Sequence, residues 1–263
     1  MNLWNELKRW GGAHRPGRQP FPEAEWQRAR RRLPLLAALD DAEAERLGQR
    51  AWAFLHRKRL TLPDDDAFDL AARLALAAQA CLLTLGWDDR EAREAFANVH
   101  QVVVVPDAFR RHVEEMDEAG VVHEYEDERV GETWYQGPIV VSLADLAESG
   151  DWTGFNVVIH EFAHKLDMGN SQDVDGCPPL PRDIAAQEWH RVFTAVWDDL
   201  QAHLVRGEPT PIDDYAATHP GECFAVCCET FFSAPDLLDT AYPELYALLA
   251  RYFRQAPLAR LPH

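Results

Sequence analysis

His160 and His164 stand four residues apart in the stretch Phe155-Asn-Val-Val-Ile-His-Glu-Phe-Ala-His-Lys-Leu-Asp-Met168. On an α-helix this spacing puts both imidazoles on one face, with Cβ atoms roughly 6 Å apart. That gap suits two nitrogens converging on one tetrahedral Zn²⁺. Glu161 lies beside the same face and can reach a metal-bound water without being a ligand. This is the H-E-x-x-H arrangement of zinc peptidases. Val157, Val158 and Ile159 precede it, and Phe162, Ala163 and Leu166 fill the other faces, so the helix reads as buried. Two histidines and a glutamate are costly inside such a helix unless something satisfies them. Two core histidines bonded to neighbours are the plain alternative, and the agreement of motif with buried setting favours the metal. Lys165 places a charge where many zinc peptidases have an uncharged residue.

Two histidines leave a tetrahedral ion short of one protein ligand and one open position. The downstream candidates are Asp167, His190, His203, Asp213, Asp214, His219, Glu222 and Glu229. Asp167 sits on the same rigid helix and would need it to bend. His190 and His203 fall among charged neighbours and read as surface. Glu222 is the best candidate, because it opens an otherwise apolar helix that can face the metal helix. The competing reading makes Glu222 an N3 capping acid behind Pro220. Glu229, seven residues on, shares its face and is either an acceptor behind a ligand or an alternative ligand. Tyr215, seven residues before Glu222, offers a phenol that could donate to an oxyanion; a loop tyrosine otherwise packs.

The elements that must hold these residues change character along the chain. Residues 1–20, with Gly11, Gly12, Pro16, Gly17 and Pro20, predict a flexible leader. Residues 21–97 predict a helical region: a short helix over 22–32, one capped by Asp40 or Asp41 running to Lys58, an alanine-rich one over 64–86 and a shorter one over 88–97. Residues 98–263 predict the catalytic region, packed with the helical one in a single unit. There His100–Val105 is a buried strand, residues 121–130 suggest a second, Trp134-Tyr135 begins a further piece, and Ile139–Ser142 is a strand before a short helix at 143–148. The metal helix follows. Loop 169–181 holds Asp173 and Asp175, which lack the rest of a calcium-loop spacing and read as surface. Helices over 182–205, 221–233 and 243–254 close the chain. Segregated helices and strands mean α+β: a mainly helical, zincin-like arrangement with a small mixed β-sheet beside the active-site helix.

Composition narrows the function. A net charge of −18 over 263 residues argues against direct nucleic-acid binding. The basic run at 27–32 reads as a solvated helix face. No stretch of about 18 apolar residues exists to span a membrane, and the first ten residues lack the apolar run of a secretory signal. Cys81, Cys177, Cys223, Cys227 and Cys228 are odd in number and without framework spacing, which fits a reducing, cytoplasmic setting. Cys227 and Cys228 point about 100° apart on a helix and read as small core residues.

Several separated motifs together resemble the Mlc titration factor A family of bacterial zinc peptidases. They are His160-Glu-Phe-Ala-His-Lys-Leu-Asp167, Trp134-Tyr-Gln-Gly-Pro-Ile-Val-Val-Ser142, Asp214-Tyr-Ala-Ala-Thr-His-Pro-Gly-Glu-Cys-Phe-Ala-Val226, Tyr242-Pro-Glu-Leu-Tyr246 and the Gln79–Leu83 region. The resemblance spans roughly residues 20–257. The catalytic region of that family is similar in fold to the protease domain of anthrax lethal factor. The resemblance implies zinc on His160, His164 and Glu222, Glu161 as base and Tyr215 as oxyanion helper. It also implies aminopeptidase activity on small peptides, and binding of the glucose repressor Mlc, hence a link to sugar phosphotransferase control. The family often carries alanine where this chain has Gly221. The alternative function is a non-catalytic, repressor-binding protein with a structural zinc site. A peptide substrate must lie extended past the metal, and the edge of strand Ile139–Ser142 is the candidate place for it; a plain core strand is the equal alternative.

Overall fold

Helix caps and alanine-rich packing shape the first half of the chain. The computed structural model describes residues 20–62, 68–106 and 137–262. Helix α1 (Glu23–Arg32) runs into the short α2 (Pro34–Ala37). Helix α3 (Asp41–Arg57) opens on a capping box: Glu43 N–H donates to Asp40 Oδ1 at 2.8 Å, and Asp40 N–H to Glu43 Oε2 at 3.4 Å. Helix α4 (Leu70–Leu82) packs against α1 and α3 and buries nearly its whole length, since alanine lets neighbours come close.

Helix α4 is shorter than the 64–86 expected. Asp69 caps it, accepting from Ala72 N–H at 2.8 Å, while Arg28 and Arg32 of α1 pair with the same carboxylate. Residues 63–67, with Asp64, Asp65 and Asp66, lie outside the described residues. At its other end the helix gives way to turns before Gly86. A Cβ on Gly86 would fall 2.4 Å from the carbonyl oxygens of Phe253 and Arg254, so this glycine permits close backbone approach. Helix α5 (Asp89–Glu94) follows.

The described sheet has the order β1-β2-β3, with β1 Arg59–Thr61, β2 Gln101–Val105 and β3 Ile139–Ser142. Both described pairings are parallel, where the sequence suggests a mixed sheet, with Leu60 opposite Val102 and Val104 opposite Val141. Val102, Val104, Ile139 and Val141 face the core, whereas Val140 on the alternate face is exposed. Strand β1 was not expected from the sequence. The strand expected at 121–130, the Trp134-Tyr135 piece and the leader through residue 19 fall outside the described residues.

Strand β3 leads into α6 (Leu143–Glu148), capped by Ser142, and then to the central α7 (Val157–Asp167). Helix α8 (Ala186–Arg206) ends at Gly207 in the left-handed region. Helices α9 (Pro220–Ser233), α10 (Pro235–Ala241) and α11 (Pro243–Phe253) each begin with proline, which is pre-set for the first helical position. Helix α10 is an addition to the expected elements. Buried residues from Trp26 to Phe253 form one continuous core, and α7 lies within it against α4 and α9. Phe162 of α7 packs on Phe54 and Phe96, with ring centroids 5.7 and 4.9 Å away.

Candidate metal centre

Asn156 starts α7 and fixes its position. Its Oδ1 accepts from Ile159 N–H at 3.0 Å, and its Nδ2 donates to Gln79 Oε1 on α4 at 2.7 Å. Its own N–H donates to Glu229 Oε1 on α9 at 3.2 Å. A fully buried asparagine thus ties together the three helices around the site. Its neighbour one turn on, His160, and then His164 point to the same side, with their Nε2 atoms 3.1 Å apart.

Glu222 enters from the first turn of α9. Its Oε2 lies 3.0 Å from His160 Nε2 and 3.2 Å from His164 Nε2. The N-cap of α9 is His219, whose Nδ1 accepts from Gly221 N–H at 3.2 Å, so Glu222 is turned to the histidines. Ligand atoms about 2.05 Å from a tetrahedral ion lie about 3.3 Å from one another. The three observed separations match that triangle closely. Glu222 Oε2 is buried and, close as it is to both imidazoles, accepts no aligned N–H. Behind the trio, Glu229 Oε2 lies 3.4 Å from His160 Nδ1. If Nδ1 keeps its proton for Glu229, Nε2 is left as a lone-pair acceptor facing a carboxylate. A cation at the centre of the triangle resolves that conflict, so the residues fit a metal.

The two carboxylates favour positive charge at this point, whether an ion or a proton on His160. Burial works against a charged His160, but the Glu222 and Glu229 carboxylates outweigh it and push its pKa up to about 10. Burial would raise Glu222, yet the close His160 and His164 imidazoles hold it far below the usual carboxylate range. Burial keeps Glu229 above that range despite His160.

Glu161, beside the first ligand, is half-buried. Lys165, four residues on, is buried, and its Nζ donates to Gly137 O at 3.3 Å. Burial lowers its pKa, and the Glu161 carboxylate acts against that. Tyr215 sits in a 3₁₀ turn (Asp214–Ala217), its N–H held by Asp213 Oδ1 at 2.9 Å. The turn is tied to α8 by Gln201, which donates to Ala217 O at 2.7 Å. The Tyr215 ring is 38% exposed and its centroid is 6.2 Å from that of His160.

The other candidates are elsewhere. Asp167 Oδ2 accepts from Gly176 N–H at 2.8 Å, and burial pushes its carboxyl up to about 7. His190 stays exposed on α8, and His203 lies near Asp199 and Glu208. Asp173 and Asp175 are exposed, and among the described residues only His160, His164 and Glu222 group as metal donors. All five cysteines are free, with Cys223, Cys227 and Cys228 buried in α9. A cavity of about 570 Å³ opens elsewhere, lined by Leu33, Leu146 and Phe155 among others, and contains none of the metal donors. Sequence reasoning missed Asn156 and gave Gln79 no role at the site. The available signal for Gln79 was one amide in the run Leu70–Leu82 of mostly alanine and leucine.

A family model described as glucose-regulated metallo-peptidase M90 matches residues 7–254. The chain belongs to that family. M90 relatives named Mlc titration factor A agree over nearly the whole length. The protein from Edwardsiella ictaluri is 39% identical over 249 residues, 92% of this chain and 89% of its own. That from Yersinia enterocolitica is 39% identical over 252 residues, covering 92% and 90%. That from Serratia proteamaculans is 40% identical over 250 residues, covering 92% of each chain. Membership makes the chain metallopeptidase-like, with two histidines and a glutamate as its candidate metal donors. Among the described residues no helix is long and apolar enough to cross a membrane.

Proposed function

We propose that the chain is a zinc-dependent peptidase of aminopeptidase type, with His160, His164 and Glu222 holding the ion. The observation that carries this reading is the triangle of donor atoms at 3.0, 3.1 and 3.2 Å, with Glu161 adjacent and outside it. Zinc is favoured by the donor set of two imidazoles and one carboxylate. Bound there, it would supply a Lewis acid that acidifies a water and polarises a peptide carbonyl. Glu161 takes the proton from the attacking water and returns it to the leaving amine. Tyr215 donates its phenolic O–H to the oxyanion. Glu229 keeps the His160 ring oriented through Nδ1.

Strand β3 lies at the edge of the described sheet and precedes α7, with Val140 outward. An extended peptide added along it would pass the metal, its main chain bonded strand to strand. The free thiols suit a cytoplasmic setting. The boundaries proposed from sequence, a leader to residue 20, a helical region to 97 and a catalytic region after it, stand as part of this reading.

The printed name of the relatives favours a second reading, in which the chain binds a repressor such as Mlc and the metal only orders the fold. One pair of measurements separates the two. Hydrolysis of short peptides with free N-termini should vanish on chelation and return with Zn²⁺. A zinc-replete protein that binds purified Mlc and cleaves no peptide would favour the second reading.

A further inference from the structure

Loop 169–181 is drawn in against the start of α9. Gly176 N–H donates to Asp167 Oδ2 at 2.8 Å, and Asp167 is wholly buried on α7, three residues beyond His164. From α8, Trp189 Nε1–H donates to Gly176 O, also at 2.8 Å. Both backbone polar groups of Gly176 are therefore held, each by a different helix.

The loop then lies directly on the residues before Glu222. Gly176 has φ +78°, and a Cβ there would fall 2.7 Å from Pro220 O. A Cβ on Gly221 would fall 2.2 Å from Val174 Cγ1 and 2.7 Å from Val174 O. Neither glycine has slack, so a shift of the loop becomes a shift of Pro220 and Gly221, and Glu222 follows them in sequence. A buried carboxylate costs free energy that an apolar residue would not, so packing alone does not account for Asp167.

We propose that Asp167 is a positioning residue for the third metal ligand, acting through Gly176 and the loop on the first turn of α9. It rests on the metallopeptidase reading of the site. The metal helix thereby carries two ligands and also the group that places the third, within the roughly 0.5 Å that a preorganised site needs.

The test uses the full chain, stripped of metal and titrated with Zn²⁺ against a chromophoric chelator and with Co²⁺ by its visible absorption. Asp167→Ala should raise the Zn²⁺ dissociation constant about tenfold to a hundredfold and alter the Co²⁺ spectrum. Asp167→Asn keeps an oxygen for Gly176 N–H and should restore most of the affinity. Trp189→Phe should weaken binding in the same direction by a smaller factor. Trp87→Phe, which loses a comparable indole bond to Tyr252 O outside the loop, should not. A folded Asp167→Ala protein with parental affinity and spectrum overturns the proposal. Should that variant fail to fold, unchanged affinity in Trp189→Phe overturns it instead. A parent chain that binds no metal overturns the metallopeptidase reading, and this role with it.

Discussion

Charge is handled in opposite ways at the centre of the molecule and at its rim. At the rim, Arg191 meets Glu244, Arg251 meets Glu188 and Arg254 meets Glu91, each cation with its own carboxylate and each pair open to water. Such pairs are screened by solvent and contribute little to stability. At the centre, Glu222 and Glu229 are both set against His160, and Glu222 against His164 as well. The centre is buried, and its two carboxylates draw positive charge between the helices, as a proton on His160 or a bound cation. Function belongs at the centre: the balanced, wet pairs are compatible with solubility alone, whereas a buried cluster of ionisable groups carries a cost that calls for a function to offset it.

The largest effect expected from breaking this contrast is at Glu222. Glu222→Ala should lose most of its bound zinc, measured by metal analysis after gel filtration, and with it peptide hydrolysis. Glu229→Gln should keep one zinc when metal is in excess but bind it about tenfold to a hundredfold more weakly by chelator competition, since only the partner of His160 Nδ1 is altered. If Glu229→Ala empties the site and Glu222→Ala does not, the ligand has been assigned to the wrong carboxylate.

Asn156→Ala comes next. It removes the cap of α7 and the bond to Gln79, and should lower the stability of the metal-free chain by about 1–3 kcal/mol in denaturant unfolding. A change below a few tenths would show that the three helices are held without it.

The smallest effect belongs to the rim. Hydrogen bonding to Arg254 holds Glu91 well down, at about 2. Because the folded pKa lies below the ordinary value near 4.3, the charge stabilises the fold above that value, and the benefit is lost as pH falls towards about 2. Glu91→Gln keeps the cap to Asp88 N–H and removes the charge. It should cost no more than about 1 kcal/mol at pH 7 in the presence of chelator, and the difference should shrink steadily below pH 4.

The centre was legible in the sequence where chemistry sits on a local period. His160, Glu161 and His164 lie within one and a half turns, and the apolar residues around them announce a buried helix. Glu222 and Glu229 were harder to tell apart, because a spacing of seven puts both on one face; only the direction of α9 decides which meets Nε2 and which meets Nδ1. The start of α4 was misplaced because Asp64, Asp65, Asp66 and Asp69 are equally good caps locally. Pairing with Arg28 and Arg32, distant in sequence, is what the local pattern lacks. Strand β1 is three residues long and exists through its partner β2, so no alternation reveals it. Gln79, Asn156 and the Asp167–Gly176 contact join residues from different elements, and nothing periodic marks them.

In the proposed reaction Glu161 transfers the proton at a metal held by His160, His164 and Glu222. Glu161→Gln preserves the shape of the side chain and removes its basicity. The direct measurement is zinc stoichiometry and peptide hydrolysis on the same preparation of that variant. The expected result is near-stoichiometric zinc and a rate reduced by about 10²–10⁴-fold. Hydrolysis at the parental rate in a folded, zinc-replete Glu161→Gln protein would contradict it.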